Sequence, residues 1–306
     1  MKCFYVGDFK KPYSTEMYIT FALRKLGVEV KAWQQDMNVP LVHLLGRIDL
    51  FAPDFVLFCK RGNLQGGPEL IHALKQKGIL IVTWLFDLYR NIPKEMESNR
   101  SLKEFQFSAD IVFTSDGGGD WGDINHHVLR QGISDDETTR GHAKTAPDIA
   151  FIGTNTYNGR DRLISALKDR YKGNFRHYGI GGTNYEVRGK DLNDLLASTK
   201  IVVGDSVPSP HYWSNRIYEV LGRGGFLIHP KVEGLEKEFQ YYKHFIPFDY
   251  GNYPQLYEII DYYLTHDAER EKIRKAGHTY TKKNLTYTQR CKILLQEITG
   301  MLESRK

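Results

Sequence analysis

Short apolar runs alternate along the chain with longer stretches in which apolar residues recur every three or four positions. That alternation predicts the strands of a parallel sheet joined by crossover helices. Cys3–Val6 reads as a buried strand ending at Gly7-Asp8; Ser14 stands where it can cap a helix carrying Tyr18, Phe21, Ala22 and Leu26, and Gly27 stops that helix. Strands follow at Val28–Trp33, Phe55–Cys59, Ile79–Leu85 and Ile111–Thr114, with a helix entered at Pro68 and closed at Gly78. A polar stretch from Ser134 to Pro147 interrupts the pattern, which then resumes. Strands are expected at Ile149–Ile152, Phe175–Tyr178, Ile201–Val203, Phe226–Ile228 and Phe245–Phe248, and helices over Arg160–Tyr171, near Leu192–Ser198 and from Ser214, with three more to finish the chain. The predicted class is α/β, with two Rossmann-like parallel-sheet domains at 1–145 and 146–287 and a last helix at 288–306.

A length of 306 residues favours two cores over one, and a 41% hydrophobic fraction is enough to build them. The longest apolar run, Ile79–Phe86, falls well short of the roughly 20 residues that span a bilayer. The first residues pass directly into a strand with no leader pattern, so a cytoplasmic location is expected. Cys3, Cys59 and Cys291 are widely spaced and contain no C-x-x-C pair, which points to neither a disulfide framework nor a zinc site. A net charge of +5 suits an anionic substrate without requiring nucleic acid. The run Asp116–Asp123 is rich in carboxylates and glycine but lacks an Asp-x-Asp pair and the EF-hand order, and reads as a mobile loop; adjacent His126 and His127 point to different faces. No Gly-x-Ser-x-Gly elbow or Walker A lysine loop is present.

In open α/β sheets ligands bind beyond the carboxyl ends of the strands, so residues there are the candidates for function. The most informative stretch is Tyr212–Ile228. Ser214 can cap the helix that follows, whose N-terminus would favour an anion; Asn215 and Arg216 stand beside it, and Glu219, one turn on, can accept hydrogen bonds from vicinal hydroxyls such as those of a ribose. The alternative is an ordinary amphipathic helix with an exposed Arg216–Glu219 pair. Gly153, Thr154 and Asn155 follow a strand and can approach a diphosphate through backbone N–H groups, with Arg160 at the next helix start to neutralise it. Gly179–Gly182 does not have the spacing of a dinucleotide fingerprint. In the first half, Asp8 and Asp87 each follow a strand and can serve as general base toward an acceptor hydroxyl; Asp87 can equally be a helix N-cap and Asp8 a turn residue.

Ser214–Ile228, followed by Glu233–Phe239, resembles the donor-binding half of GT-B glycosyltransferases, in particular the group similar to the spore-maturation protein CgeB. That group has an Asn-x-Arg-x-x-Glu helix before a Gly-Gly turn, to which Asn215, Arg216, Glu219 and Gly224-Gly225 are similar, with Asn215 and Arg216 adjacent here, and it carries C-terminal patterns met by Asp267-Ala268-Glu269-Arg270, Ala276-Gly277 and Thr286-Tyr287-Thr288-Gln289-Arg290. The resemblance covers about residues 148–290. It implies a GT-B architecture with two domains facing a central cleft, a nucleotide-sugar donor on the second, and a glycan, small-molecule or protein acceptor entering from the first. It also implies no cofactor beyond the donor, no metal, and a last helix that crosses back to the first domain. Retaining GT-B enzymes carry a second glutamate eight residues before the ribose glutamate. Here that position is His211, which breaks the pair and leaves His211 as either a contact to the donor sugar or phosphate or a loop histidine. Two further readings are a DNA-modifying glycosyltransferase acting on a hydroxylated base, and a non-catalytic nucleotide-sugar or glycan-binding protein.

Overall fold

The computed structural model of the chain describes residues 1–35, 39–59, 67–89, 105, 107–138, 140–156, 159–183, 185–206 and 208–305. The chain divides into two compact units, one formed by Met1–Gln131 with Tyr287–Lys306 and the other by Gly132–Thr286.

Unit 1 is built on a six-stranded parallel sheet in the order β2-β1-β3-β4-β5-β6. Its strands are β1 (Lys2–Gly7), β2 (Glu29–Gln34), β3 (Phe55–Cys59), β4 (Leu80–Leu85), β5 (Ile111–Thr114) and β6 (His126–Val128). Period-two alternation within each strand serves two cores at once. Tyr5, Leu57, Val82 and Trp84 face α1 (Thr15–Lys25) and the C-terminal α9 (Tyr287–Ser304), while Phe4, Val6, Val56, Phe58 and Ile81 face α2 (Leu41–Phe51) and α3 (Gly67–Gln76). The Ser14 side chain caps α1 by accepting from Met17 N. α9 returns Tyr287, Cys291, Leu294 and Ile298 to the first of these cores, and Arg290 Nε donates to Gln131 O at 3.0 Å.

Unit 2 carries a five-stranded parallel sheet in the order β11-β10-β9-β7-β8. These are β7 (Ile149–Ile152), β8 (Phe175–Tyr178), β9 (Ile201–Val203), β10 (Leu227–Pro230) and β11 (Ile246–Phe248). On one face Phe151, Val203 and Ile228 pack with residues of α4 (Arg160–Tyr171) and α7 (Tyr253–Thr265); on the other Val202 and Leu227 pack with α5 (Gly189–Ser198) and α6 (Arg216–Gly222). α8 (Asp267–Asn284) completes the unit. The end of α6 follows the Gly-Gly signal: Gly224 has φ +80, and Gly224 N and Gly225 N donate to Leu221 O and Val220 O at 3.0 and 2.8 Å. Among the described residues no helix is long and apolar enough to cross a membrane.

Candidate functional site

The carboxyl ends of β7, β9 and β10 lie together in unit 2, and Asp205, just past β9, organises what stands there. Its carboxylate is nearly buried and takes Arg160 Nε on Oδ2 and Arg216 Nη1 on Oδ1. The Asp205 carbonyl accepts from Arg216 Nη1 and from Ser214 Oγ, each at 3.3 Å. Arg216 also donates through Nε to Ile152 O at 2.9 Å and lies over the Phe151 ring, 5.0 Å from its centroid. Burial lowers the Arg216 pKa and the Asp205 charge opposes that shift. Arg216 is therefore an inward brace between β7 and β9, and its guanidinium is engaged by the protein itself. A buried carboxylate with two cations holds its geometry strongly, because losing either partner leaves a charge desolvated.

Ser214 does not cap the helix. α6 begins at Arg216, its N-cap is Asn215 in a helical conformation with no side-chain capping bond, and the helix has seven residues. The Ser214 hydroxyl goes to Asp205 O instead because the chain turns inward to bring Arg216 onto Asp205. The anion site expected at a Ser214-capped N-terminus is thus not what this segment builds.

Gly153 has φ +142; its N–H donates to Tyr178 O at 2.9 Å and its carbonyl accepts from His177 Nε2 at 2.6 Å. Asn155 N donates to Ile180 O at 3.2 Å, and Thr154 Oγ1 lies 3.0 Å from Thr156 Oγ1. Thr154 O accepts from Arg160 Nη1 at 3.3 Å, which ties this loop to the start of α4. A pocket of about 250 Å³ adjoins the Arg160–Asp205 pair, lined also by Pro230, Phe248, Tyr250 and Tyr253.

Glu219, on α6, is 20% exposed at its side chain. Its Oε2 accepts from Arg223 Nε at 3.0 Å and Arg223 Nη2 at 2.8 Å, and its Oε1 has no hydrogen bond among the described residues. Burial pushes the carboxyl up to about 7, with Arg188 pulling the other way. The Arg223 fork acts in the same sense as Arg188, so the ionised carboxylate is the form this geometry holds at neutral pH. Nearby, Tyr218 OH accepts from Trp213 Nε1 at 2.8 Å and donates to Glu238 Oε2 at 2.6 Å, which joins the two halves of the donor-like motif.

His211 adopts φ +59, unusual for a residue with a side chain. Its N–H donates to Glu233 O at 2.8 Å and its Nε2 lies 3.4 Å from Glu233 Oε1. His229, at the end of β10, is fully buried; its Nδ1–H donates to Pro230 O at 2.8 Å, its Nε2 has no hydrogen bond among the described residues, and burial pushes its pKa down to about 4. In unit 1, Asp8 is half-buried past β1, where Oδ1 accepts from Lys10 N at 3.2 Å and Gln34 Nε2 at 3.1 Å. Asp87 is exposed past β4. The Asp116–Asp123 loop is pinned, contrary to its expected mobility. Buried Asp116 accepts from Tyr89 N at 2.8 Å and Gly118 N at 2.9 Å, and Trp121 stacks on His126 at 3.9 Å. Among the described residues, no group of three or more His, Cys, Asp or Glu side chains could hold a metal ion.

Arg223 escaped the sequence reading as a site residue, whereas Asp205 is one of the strand-end positions at which ligands of open α/β sheets are sought. For Arg223 a signal existed, since Glu219 and Arg223 are an i, i+4 pair on one helix face. Asp205 stood in a strand-end position, but its two arginine partners are visible only in the fold.

Residues 160–296 match the family model described as Glycosyl transferase-like. No curated protein sequence matches the chain. Among solved structures, a glycosyltransferase from Rickettsia africae superposes with a TM-score of 0.68 at 12% identity, covering 98% of each chain. HepE of Anabaena in complex with UDP-glucose gives 0.65 at 14% identity, covering 99% of this chain and 100% of that one. Trehalose-6-phosphate synthase OtsA gives 0.67 at 11% identity, covering 98% and 99%. The two parallel-sheet α/β units have the GT-B fold of these neighbours, and the segment running from α4 into α9 matches the glycosyl transferase-like domain.

Proposed function

We propose that the enzyme transfers a sugar from a nucleotide-sugar donor held by unit 2 to an acceptor hydroxyl, without a metal, as a member of the CgeB-like group. The observation that carries this is Glu219: a half-buried carboxylate on α6, the helix that follows β9, with Oε2 fixed by Arg223 and Oε1 without a hydrogen bond among the described residues and so able to accept from a ribose. HepE, whose fold this chain shares, has been solved with UDP-glucose and with UDP, which supports a nucleoside diphosphate as the leaving group. In this scheme the loop Gly153–Asn155 approaches the diphosphate. Among the described residues its unengaged backbone donor is Thr154 N–H, because the amides of Gly153 and Asn155 are already engaged. Arg160 and Arg216 act by keeping Asp205 and that loop in place, so the rate gain comes from orientation and a preformed polar environment. The pocket beside Arg160 and Asp205 takes the donor's sugar, and His211 borders the sugar or phosphate. Asp87 is the first candidate base for the acceptor hydroxyl and Asp8 the second.

The test is calorimetric titration of the protein and its Glu219→Gln variant with UDP, GDP, ADP, CDP and dTDP. One ribonucleotide is expected to bind the wild type, and the substitution to weaken it by about tenfold or more, the loss of a charge-assisted hydrogen bond worth roughly 1.5–3 kcal/mol. Absence of binding across the panel, or equal binding by both proteins, overturns the donor assignment.

A further inference from the structure

Arg223 is 2% exposed, carries an ionised side chain in a nearly dry environment, and none of the sequence motifs accounts for it. Three separate segments converge on it. Glu219 of α6 accepts on Oε2 from both Nε and Nη2; Asn193 of α5 accepts on Oδ1 from Nη1; and Glu137, from the 3-10 turn Asp135–Thr138, is ion-paired with Nη2 through Oε2. Every edge of the guanidinium is engaged, and two of the groups that set its plane, Asn193 and Glu137, do not belong to α6.

The consequence falls on Glu219. The terminal torsion of a glutamate is soft and roughly two-fold, so an unrestrained carboxylate presents either oxygen in many orientations. Here both bonds from Arg223 end on the same oxygen, which stops that rotation and leaves Oε1 as a single acceptor of fixed direction. We propose that Arg223 is the positioning residue that turns Glu219 into a selective receptor for the 2′,3′-diol of a ribonucleotide, so that the enzyme discriminates against 2′-deoxyribonucleotide donors. A fixed buried acceptor that loses its donor stays unsatisfied, whereas a mobile one turns to water, and rigidity is what converts one missing hydroxyl into selectivity. The proposal rests on the ribose reading of Glu219 given above.

The experiment compares dissociation constants for UDP with 2′-deoxy-UDP, ADP with 2′-deoxy-ADP, and GDP with 2′-deoxy-GDP, and follows the pair that binds most tightly. Wild type, Glu219→Gln, Arg223→Lys and Asn193→Ala are titrated, with thermal unfolding as the check on folding. The wild type is expected to favour the ribose form by about 10- to 100-fold and Glu219→Gln to bring that ratio to within about threefold of unity. Arg223→Lys keeps a cation but loses the fork, and is expected to cut the ratio at least fivefold. Asn193→Ala frees one edge of Arg223 and is expected to cut it about threefold; if Arg223→Lys does not fold, this variant decides. A general loosening of the domain weakens both nucleotides alike and leaves the ratio unchanged. If no pair binds, if the wild type shows no preference, or if Glu219→Gln retains it, the ribose reading itself fails. If the wild type and Glu219→Gln behave as expected while the folded Arg223→Lys and Asn193→Ala proteins keep the full ratio, the ribose reading stands and the positioning role of Arg223 is wrong.

Discussion

At the scale of the residue, burial decides which groups carry charge. His229 has no exposed surface, donates through Nδ1 to Pro230 O and is held neutral, with a pKa of about 4 against about 6.5 when unfolded. The unfolded chain therefore binds more protons between those values, and the sign follows: the stability tied to neutral His229 is complete above about pH 6.5 and is lost as pH falls toward 4, by about 3 kcal/mol over the window. Urea denaturation of unit 2 at pH 7 and at pH 4.5 should show a smaller loss for His229→Gln than for the wild type, since carboxylates titrate alike in both. Equal losses would mean that His229 is solvated in the native state. His126 of unit 1 carries a similar depression, caused first by burial and then by His127, and serves as an internal contrast because the substitution leaves it in place.

At the scale of the element, close approach outweighs helix propensity at Gly277. In the middle of α8 an alanine normally gains up to about 1 kcal/mol over glycine. A Cβ at Gly277 would lie 2.3 Å from His244 O, a backbone atom that cannot swing away. Gly277→Ala is therefore expected to destabilise unit 2 by roughly 1–3 kcal/mol, the usual cost of overpacking, and to lower its unfolding midpoint; a raised midpoint would mean that α8 moves aside at little cost. The resemblance to the CgeB-like group includes this glycine, and contact geometry explains it. Much of the fold was legible in such local signals. Phe55–Cys59, Ile111–Thr114, Ile149–Ile152, Phe175–Tyr178 and Ile201–Val203 are strands with the expected bounds, because four of them are short apolar runs between turn residues and Phe175–Tyr178 alternates more and less buried positions. α2 was missed because it starts behind Pro40 with no side-chain cap, contains Gly46, and shows apolar residues all round, with Val42 and Leu50 exposed. β6 was missed because His126–Val128 is three residues long and only partly buried. In the candidate site, the pairing of Arg216 and Glu219 on one helix was legible, but their partners were not. Ser214 and Arg216 are drawn to Asp205, and Arg223 to Glu137 and Asn193, by contacts that no local spacing encodes.

At the scale of the whole molecule, unit 2 folds from one continuous stretch while the core of unit 1 depends on two stretches that are far apart in sequence. Tyr287, Cys291, Leu294 and Ile298 are all at most 1% exposed in the core of unit 1. At roughly 1.5–3 kcal/mol for a fully buried apolar side chain, they contribute an amount comparable to the net stability of a domain, roughly 5–15 kcal/mol. A chain ending at Thr286 is expected to lose amide protection throughout β1, β3 and β4 in hydrogen exchange while β7, β9 and β10 stay protected. Protection retained in unit 1 would show that its sheet closes without α9.

The route of the chain, out of unit 1 after Gln131 and back into it at Tyr287, also sets an order of events at the ribosome. The 155 residues of 132–286 must be synthesised before α9 emerges, about 8–30 s at 5–20 residues per second. During that interval the apolar face of Tyr5, Leu57, Val82 and Trp84 has no helix 287–304 to cover it, although the rest of its sheet has already left the exit tunnel. Unit 2 can complete its own core first, while that face of unit 1 waits uncovered until α9 emerges.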